Sequence, residues 1–162
     1  MKQTFFAFLF IVLFVFPVNG NTKNNGQTNP KRNYQLIIDA IVHRFLLGKE
    51  VSLSDLQNAI PITQEEFSIY YSYTDPEKGK PINNSFSKLD LQIIENAVKN
   101  KGGFLKLYLE LSPFVDGEYA EEYYVDVESI IEKNKSIFCR IYRSLNSDSK
   151  IKLKEYKELY CK

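Results

Sequence analysis

Beyond Arg32 one pattern recurs along the chain: apolar side chains return every three or four positions, with polar residues between them. That is the period of a helix with one buried face. Tyr34, Ile37, Ile38, Ile41 and Phe45 share one side of the first predicted helix, and Gly48 is placed to end it. Leu91, Ile94, Ala97 and Val98 form a later stripe, closed by Gly102-Gly103. Phe104 to Ser112 is apolar on most sides, which predicts a short central helix, and Pro113 lies just past it. Glu118 to Lys133 carries Ala120, Tyr123, Tyr124, Val127, Ile130 and Ile131 at a clean 3.6-residue spacing. Val125-Asp126 leaves open whether this stretch is one helix or two. Ile137, Phe138, Ile141, Tyr142 and Leu145 make the next stripe; Ile151, Tyr156, Leu159 and Tyr160 make a weaker last one. No segment alternates strongly enough to compete as a strand, Tyr70 to Thr74 coming nearest.

Three helix starts are written in local chemistry. Ser52 precedes Asp55, Thr63 precedes Glu66 and Ser87 precedes Asp90, each pair three residues apart and bracketed by apolar residues. The hydroxyl satisfies an orphan amide while the acid faces the positive helix end. Thr63 should be the strongest, because Glu completes a reciprocal capping box better than Asp does. Pro61 closes the Ser52 helix, since the residue before proline avoids the helical region. Asp75 to Phe86, with Asp-Pro, Lys-Gly and Lys-Pro steps, predicts the longest internal loop. The sum is an all-α fold, a compact multi-helix bundle of seven or eight short helices over residues 33–162. An α-solenoid is the rival architecture, but no residue signature repeats at a fixed period.

The N-terminal pattern differs. Lys2 precedes an almost wholly apolar run from Phe5 to Val18, followed by Val18-Asn19-Gly20. This order predicts a cleaved signal peptide over residues 1–20. An uncleaved anchor is the rival, but the run is shorter than the roughly 20 apolar residues a spanning helix needs. No cysteine lies near the cut, which excludes acylation there. Residues 21–32, rich in Asn, Thr, Gly and Lys, read as a disordered polar leader. The expected location is outside the cytoplasm, periplasmic or extracellular, with no stable membrane anchor once the signal is gone.

Export changes the meaning of the two cysteines. In an oxidising compartment Cys139 and Cys161 are expected to pair. Geometry resists: in a straight hairpin turning near Ser147, Cys139 stands level with Tyr156. Cys161 is then some 7 to 8 Å further along the helix, beyond the Cα separation of about 7 Å that a disulfide spans. The bridge therefore requires the last helix to stop early, tilt or fold back.

Charge narrows the partners. The chain of 162 residues has 21 basic and 20 acidic side chains. The expected signal holds Lys2 and no acid, leaving 20 against 20. A neutral domain is a poor candidate for nucleic acid, where a basic face supplies most of the affinity. The charges are nonetheless segregated. Asp116, Glu118, Glu121, Glu122, Asp126, Glu128 and Glu132 occur with no base among them. From Lys133 onward bases dominate: Lys133, Lys135, Arg140, Arg143, Lys150, Lys152, Lys154, Lys157 and Lys162. Either the acidic helix packs beside the basic hairpin and the two offset one another, or the acids and an exposed Tyr119 dock a basic protein. The candidate binding residues are Asp116, Glu118, Tyr119, Glu121, Glu122 and Asp126.

No catalytic set stands out. His43 is the only histidine, one position off the first apolar stripe, with no nucleophile and acid placed beside it. One His and two paired Cys make a transition-metal site improbable, and no cofactor is expected. Glu65-Glu66 and Glu121-Glu122 are neighbours about 100° apart on a helix, which does not place two acids across a cleft. Asp116-Gly117-Glu118 lacks the alternating acids of a calcium loop. Lys101-Gly102-Gly103 follows a helix, whereas a phosphate cradle precedes one. Asn83-Asn84-Ser85 and Asn134-Lys135-Ser136 fit the glycosylation triplet, a pattern common by chance in an Asn-rich chain. The expectation is an exported, non-enzymatic protein-binding domain of the inhibitor or immunity type. The alternatives are a small carboxylate-dependent hydrolase acting on glycan or cell-wall material, and a carrier of an apolar ligand.

Overall fold

The computed structural model describes residues 32–73 and 84–162, without the side chains of residues 84–86 and 118. The expected signal peptide, the leader up to Lys31, the first glycosylation triplet's Asn83 and most of the predicted loop lie outside the described residues. The described chain is all-α: α1 (Tyr34–Leu46), α2 (Leu53–Ala59), α3 (Gln64–Tyr71), α4 (Asn84–Val98), α5 (Phe104–Leu109), α6 (Gly117–Lys133), α7 (Lys135–Tyr142), α8 (Ser147–Lys152) and α9 (Lys154–Tyr160). The Tyr70–Thr74 segment is helix to Tyr71 and a turn after it, as far as it is described.

Helix α1 ends as its sequence requires. Gly48 has φ +64°, a conformation that carries a penalty for any side chain with a Cβ. Its N–H reaches the Phe45 carbonyl while the Lys49 N–H reaches the Arg44 carbonyl, which together satisfy the last turn. Helix α2 stops at Ala59 because Ile60, ahead of Pro61, is extended.

The capping prediction holds at Ser52 and Thr63, with their order reversed. Ser52 and Asp55 complete the reciprocal box. Thr63 Oγ1 accepts from the Glu66 N–H at 3.2 Å, but the Glu66 carboxylate turns away to the Ile62 N–H at 2.8 Å and to Arg32. A guanidinium attracts a carboxylate more strongly than one amide does. At Ser87 the prediction fails: α4 begins a turn earlier, at Asn84. Serine costs only a few tenths of a kcal/mol inside a helix, so one more hydrogen-bonded turn outweighs a cap there.

Helix α5 is the centre. Four of its residues, Phe104, Leu105, Tyr108 and Leu109, are buried, and the helix packs along α4. Burying each such side chain contributes roughly 1.5–3 kcal/mol. The turn that reverses α4 into α5 uses Gly102 at φ +51°, whose carbonyl accepts from the Gln57 amide of α2. Helix α4 also meets α1, α2 and α6. Helix α6 runs unbroken through Val125-Asp126, so the stretch is one helix.

The C-terminal hairpin resolves the cysteine problem. Helix α8 stops at Leu153, which is fully buried with a non-helical backbone (φ −100°, ψ 12°), and α9 starts afresh. The direction change sets the Cys139 and Cys161 Cα atoms 5.5 Å apart, and the two are joined in a disulfide. Tyr142 Oη donates to the Lys150 carbonyl at 2.8 Å and pins α8 onto α7. Asn134, in the second glycosylation triplet, uses its amide to donate to the Val98 and Ile130 carbonyls at 2.9 and 3.1 Å. That amide nitrogen is engaged in the fold.

Candidate functional site: the two faces of helix α6

Helix α6 sorts its residues by spacing. Tyr119, Tyr123, Val127, Ile130 and Ile131 are buried. Glu121, Val125, Glu128 and Glu132 follow at intervals of four, three and four on the opposite side, and all are exposed, as is Glu122 beside them. This stripe extends about 16 Å along the helix. At its middle, Val125 is 68% exposed. A depression of about 400 Å³ opens there and is lined, among the described residues, by Glu121, Glu122, Val125 and Asp126.

Local physics does not explain all of these acids. Glu121 and Glu122 lie towards the helix N-terminus, where the dipole favours them. Glu132 lies in the last turn, where it does not. Glu122/Asp126 and Glu128/Glu132 are like-charged neighbours four apart, each pair costing a few tenths of a kcal/mol. Among the described residues no ion pair joins the acids of α6 to the bases of α7, α8 or α9. Tyr160 Oη reaches Glu128 and Glu132 at 3.4 Å each. Lys135 lies over the Tyr160 ring, 5.3 Å from its centroid. The acidic helix does pack beside the basic hairpin, against α7 and α9, and the contacts seen across that boundary are those of tyrosine.

Of the predicted binding residues, Glu121 and Glu122 are exposed together and Asp126 is half-buried at the edge of the depression. Asp116 is exposed at the start of α6 and caps nothing with its side chain. Glu118 falls in the first turn, its side chain outside the described residues. Tyr119 is a correction. It is 9% exposed, its ring edge-on to Phe67, Tyr70 and Tyr71. It is a core residue, because position 119 shares the face of Tyr123, Val127 and Ile130. His43 is exposed on α1, on an element that does not form this face.

Behind the stripe lies a second set of acids. Asp90 of α4 is largely enclosed, and its Oδ1 accepts from Tyr70 Oη at 2.5 Å and from Tyr119 Oη at 3.4 Å. Burial pushes its carboxyl above the ordinary aspartate range, the Asp126 and Glu122 charges push further, and the two hydroxyls only partly offset this. Asp126 is also raised, first by burial and then by Glu122, against one long bond of 3.5 Å from Tyr108 Oη. Tyr70 and Tyr119 are themselves pushed well up, by burial first and by Asp90 next.

The sequence pattern hides Asp90, because three residues after Ser87 it looks like a capping acid. The missed signal was its register, three before Ile93 and seven before Ala97, which sets it beside the face that α4 buries through Leu89, Ile93 and Ala97, whereas Leu91 of the predicted stripe is 59% exposed. Among the described residues no group of three or more His, Cys, Asp or Glu side chains is arranged to hold a metal ion. What this face can do chemically must come from its own geometry, since no protein-family model, no curated protein and no solved structure matches the chain.

Proposed function

We propose that this is an exported, non-enzymatic protein-binding domain that docks a basic partner on the solvent face of α6, in the manner of an inhibitor or immunity factor. One observation carries the reading: exposed carboxylates flank an exposed valine over three turns of helix, and among the described residues none of them is in an ion pair. Acids steer a basic partner to the surface and Val125 gives it an apolar contact to settle on. Asp126 adds a half-buried acid at the edge of the same depression. Export is supported by the Cys139–Cys161 disulfide, which an oxidising compartment favours. No described helix is long and apolar enough to cross a membrane.

A synthetic helical peptide, rich in lysine with one central leucine, probes the face. Changing Glu121→Lys and Glu122→Lys together should slow its association at least tenfold at low salt. An unchanged on-rate would remove the proposal.

A carboxylate-dependent hydrolase of glycan or cell-wall material is the second reading, favoured by Asp90 and Asp126, two neighbouring acids with raised protonation ranges. Against it, Asp90 is largely enclosed and one of its two oxygens already accepts two tyrosine hydroxyls. Release of reducing ends from peptidoglycan, lost in Asp126→Asn, would establish the hydrolase; no release by the parent protein would sink it.

A further inference from the structure

The surface opposite in charge to α6 is carried by the same chain. Ile151 of α8 is 72% exposed, the highest value of any large apolar side chain among the described residues, and Lys150 and Lys152 flank it. Arg143, exposed at the end of α7, lies just before the same turn. The Tyr142 bond to the Lys150 carbonyl ties this corner to α7. The α6 stripe has the converse composition: Val125 flanked by Glu121, Glu122 and Glu128. The α6 surface is an apolar centre among acids; the α8 corner is an apolar centre where bases are in excess, Lys150, Lys152 and Lys154 against Asp148 and Glu155. Among the described residues Lys150, Lys152 and Arg143 form no ion pair.

From this complementarity we infer that a second copy of the chain is a partner of the α6 face, which takes the Lys150-Ile151-Lys152 corner of that copy. The inference rests on the docking-face reading and names its occupant. The two surfaces differ, so the contact is heterologous: each copy offers one surface to the next and keeps the other free. A formal net charge of only +1 leaves little overall repulsion between copies. Steering by separated charges then brings them together in one orientation.

Sedimentation equilibrium of the purified protein tests this. At low ionic strength the average mass should rise with concentration. In 1 M salt, where screening acts within about 3 Å, association should weaken at least tenfold. Val125→Ser and Ile151→Ser leave the net charge unchanged and alter only exposed side chains; each should weaken association about tenfold without moving the thermal midpoint. The pairs Glu121→Lys/Glu122→Lys and Lys150→Glu/Lys152→Glu should each be monomeric alone and associate when mixed. A parent protein that stays monomeric at every concentration, while still binding the lysine-rich peptide, overturns the inference and leaves the docking face standing. Loss of neither self-association nor peptide binding in Glu121→Lys/Glu122→Lys overturns both.

Discussion

Two regions of this domain treat buried carboxylates in opposite ways. At the corner where α1 meets α3, Glu66 is enclosed, and Arg32 answers it with two guanidinium nitrogens while also donating to the Asn58 and Ile60 carbonyls. Burial alone would raise the Glu66 carboxyl, but the Arg32 bonds, the Ile62 N–H and the Arg32 charge outweigh it and hold the group below its ordinary range. Between α3, α4 and α6, Asp90 is enclosed with tyrosine hydroxyls and other acids, and its carboxyl is pushed up. Burial raises both groups; the difference is that Arg32 and the Ile62 N–H together outweigh it at Glu66, while two tyrosine hydroxyls do not at Asp90. An arginine answers Asp55 as well, in the Arg44–Asp55 pair at 2.6 Å. Among the described residues no arginine reaches the exposed acids of α6.

Breaking the corner should have the largest effect. Glu66→Ala leaves Arg32 and the Ile62 N–H without their acceptor and should cost about 3 kcal/mol by urea denaturation. Tyr70→Phe removes the shorter of the two bonds to Asp90 and should cost about 1 kcal/mol. It should also move the Asp90 carboxyl further up in a carbon-detected NMR titration. Asp90→Asn keeps an oxygen to accept both hydroxyls and discards the unfavourable charge, so at neutral pH the change should stay within about 0.5 kcal/mol of zero or be stabilising. A loss as large as that of Glu66→Ala would contradict the contrast between the two regions.

The pH dependence sharpens the same contrast. Asp90 binds its proton more tightly folded than unfolded, so its contribution to stability is greatest in acid. It declines as pH rises from the ordinary aspartate value, about 3.9, through the raised folded value. Glu66 does the reverse. Its contribution is complete above the ordinary glutamate value, about 4.3, and is lost as pH falls through its lowered folded value. Melting the parent and Asp90→Asn across this range should show the decline above about pH 4 reduced in the variant.

Much of the fold was legible because helix periodicity and caps are local. The stripes of α1 and α6 and the all-round apolar α5 were largely found buried, and the Ser52 and Thr63 hydroxyls cap as predicted; the weaker last stripe was not, since Ile151 and Leu159 are exposed. The misreadings came where a long-range contact outbid a local one. Arg32, read as part of a polar leader, is bonded to α3, and it draws Glu66 out of its capping box. The break at Leu153 carries no Gly or Pro; burial of Leu153 and closure of the Cys139–Cys161 bridge accompany it, although the cysteine spacing already demanded some such bend. Tyr119 was misplaced for another reason. An acidic neighbourhood suggests exposure, yet on a helix adjacent residues face 100° apart, and the register with Tyr123 and Val127 sets Tyr119 inward. The outer stripe was legible only in charge; that Val125 sits at its centre is visible once the inner face is fixed.

The measurement that bears most directly on function sets the outer acids against the inner one. Association rates of the lysine-rich peptide would be compared at low salt for the parent, Glu121→Lys/Glu122→Lys and Asp90→Asn. The stripe on α6 predicts a fall of at least tenfold for the double reversal and no change for Asp90→Asn. Equal rates for all three, or a fall confined to Asp90→Asn, would contradict a docking face on the outside of α6.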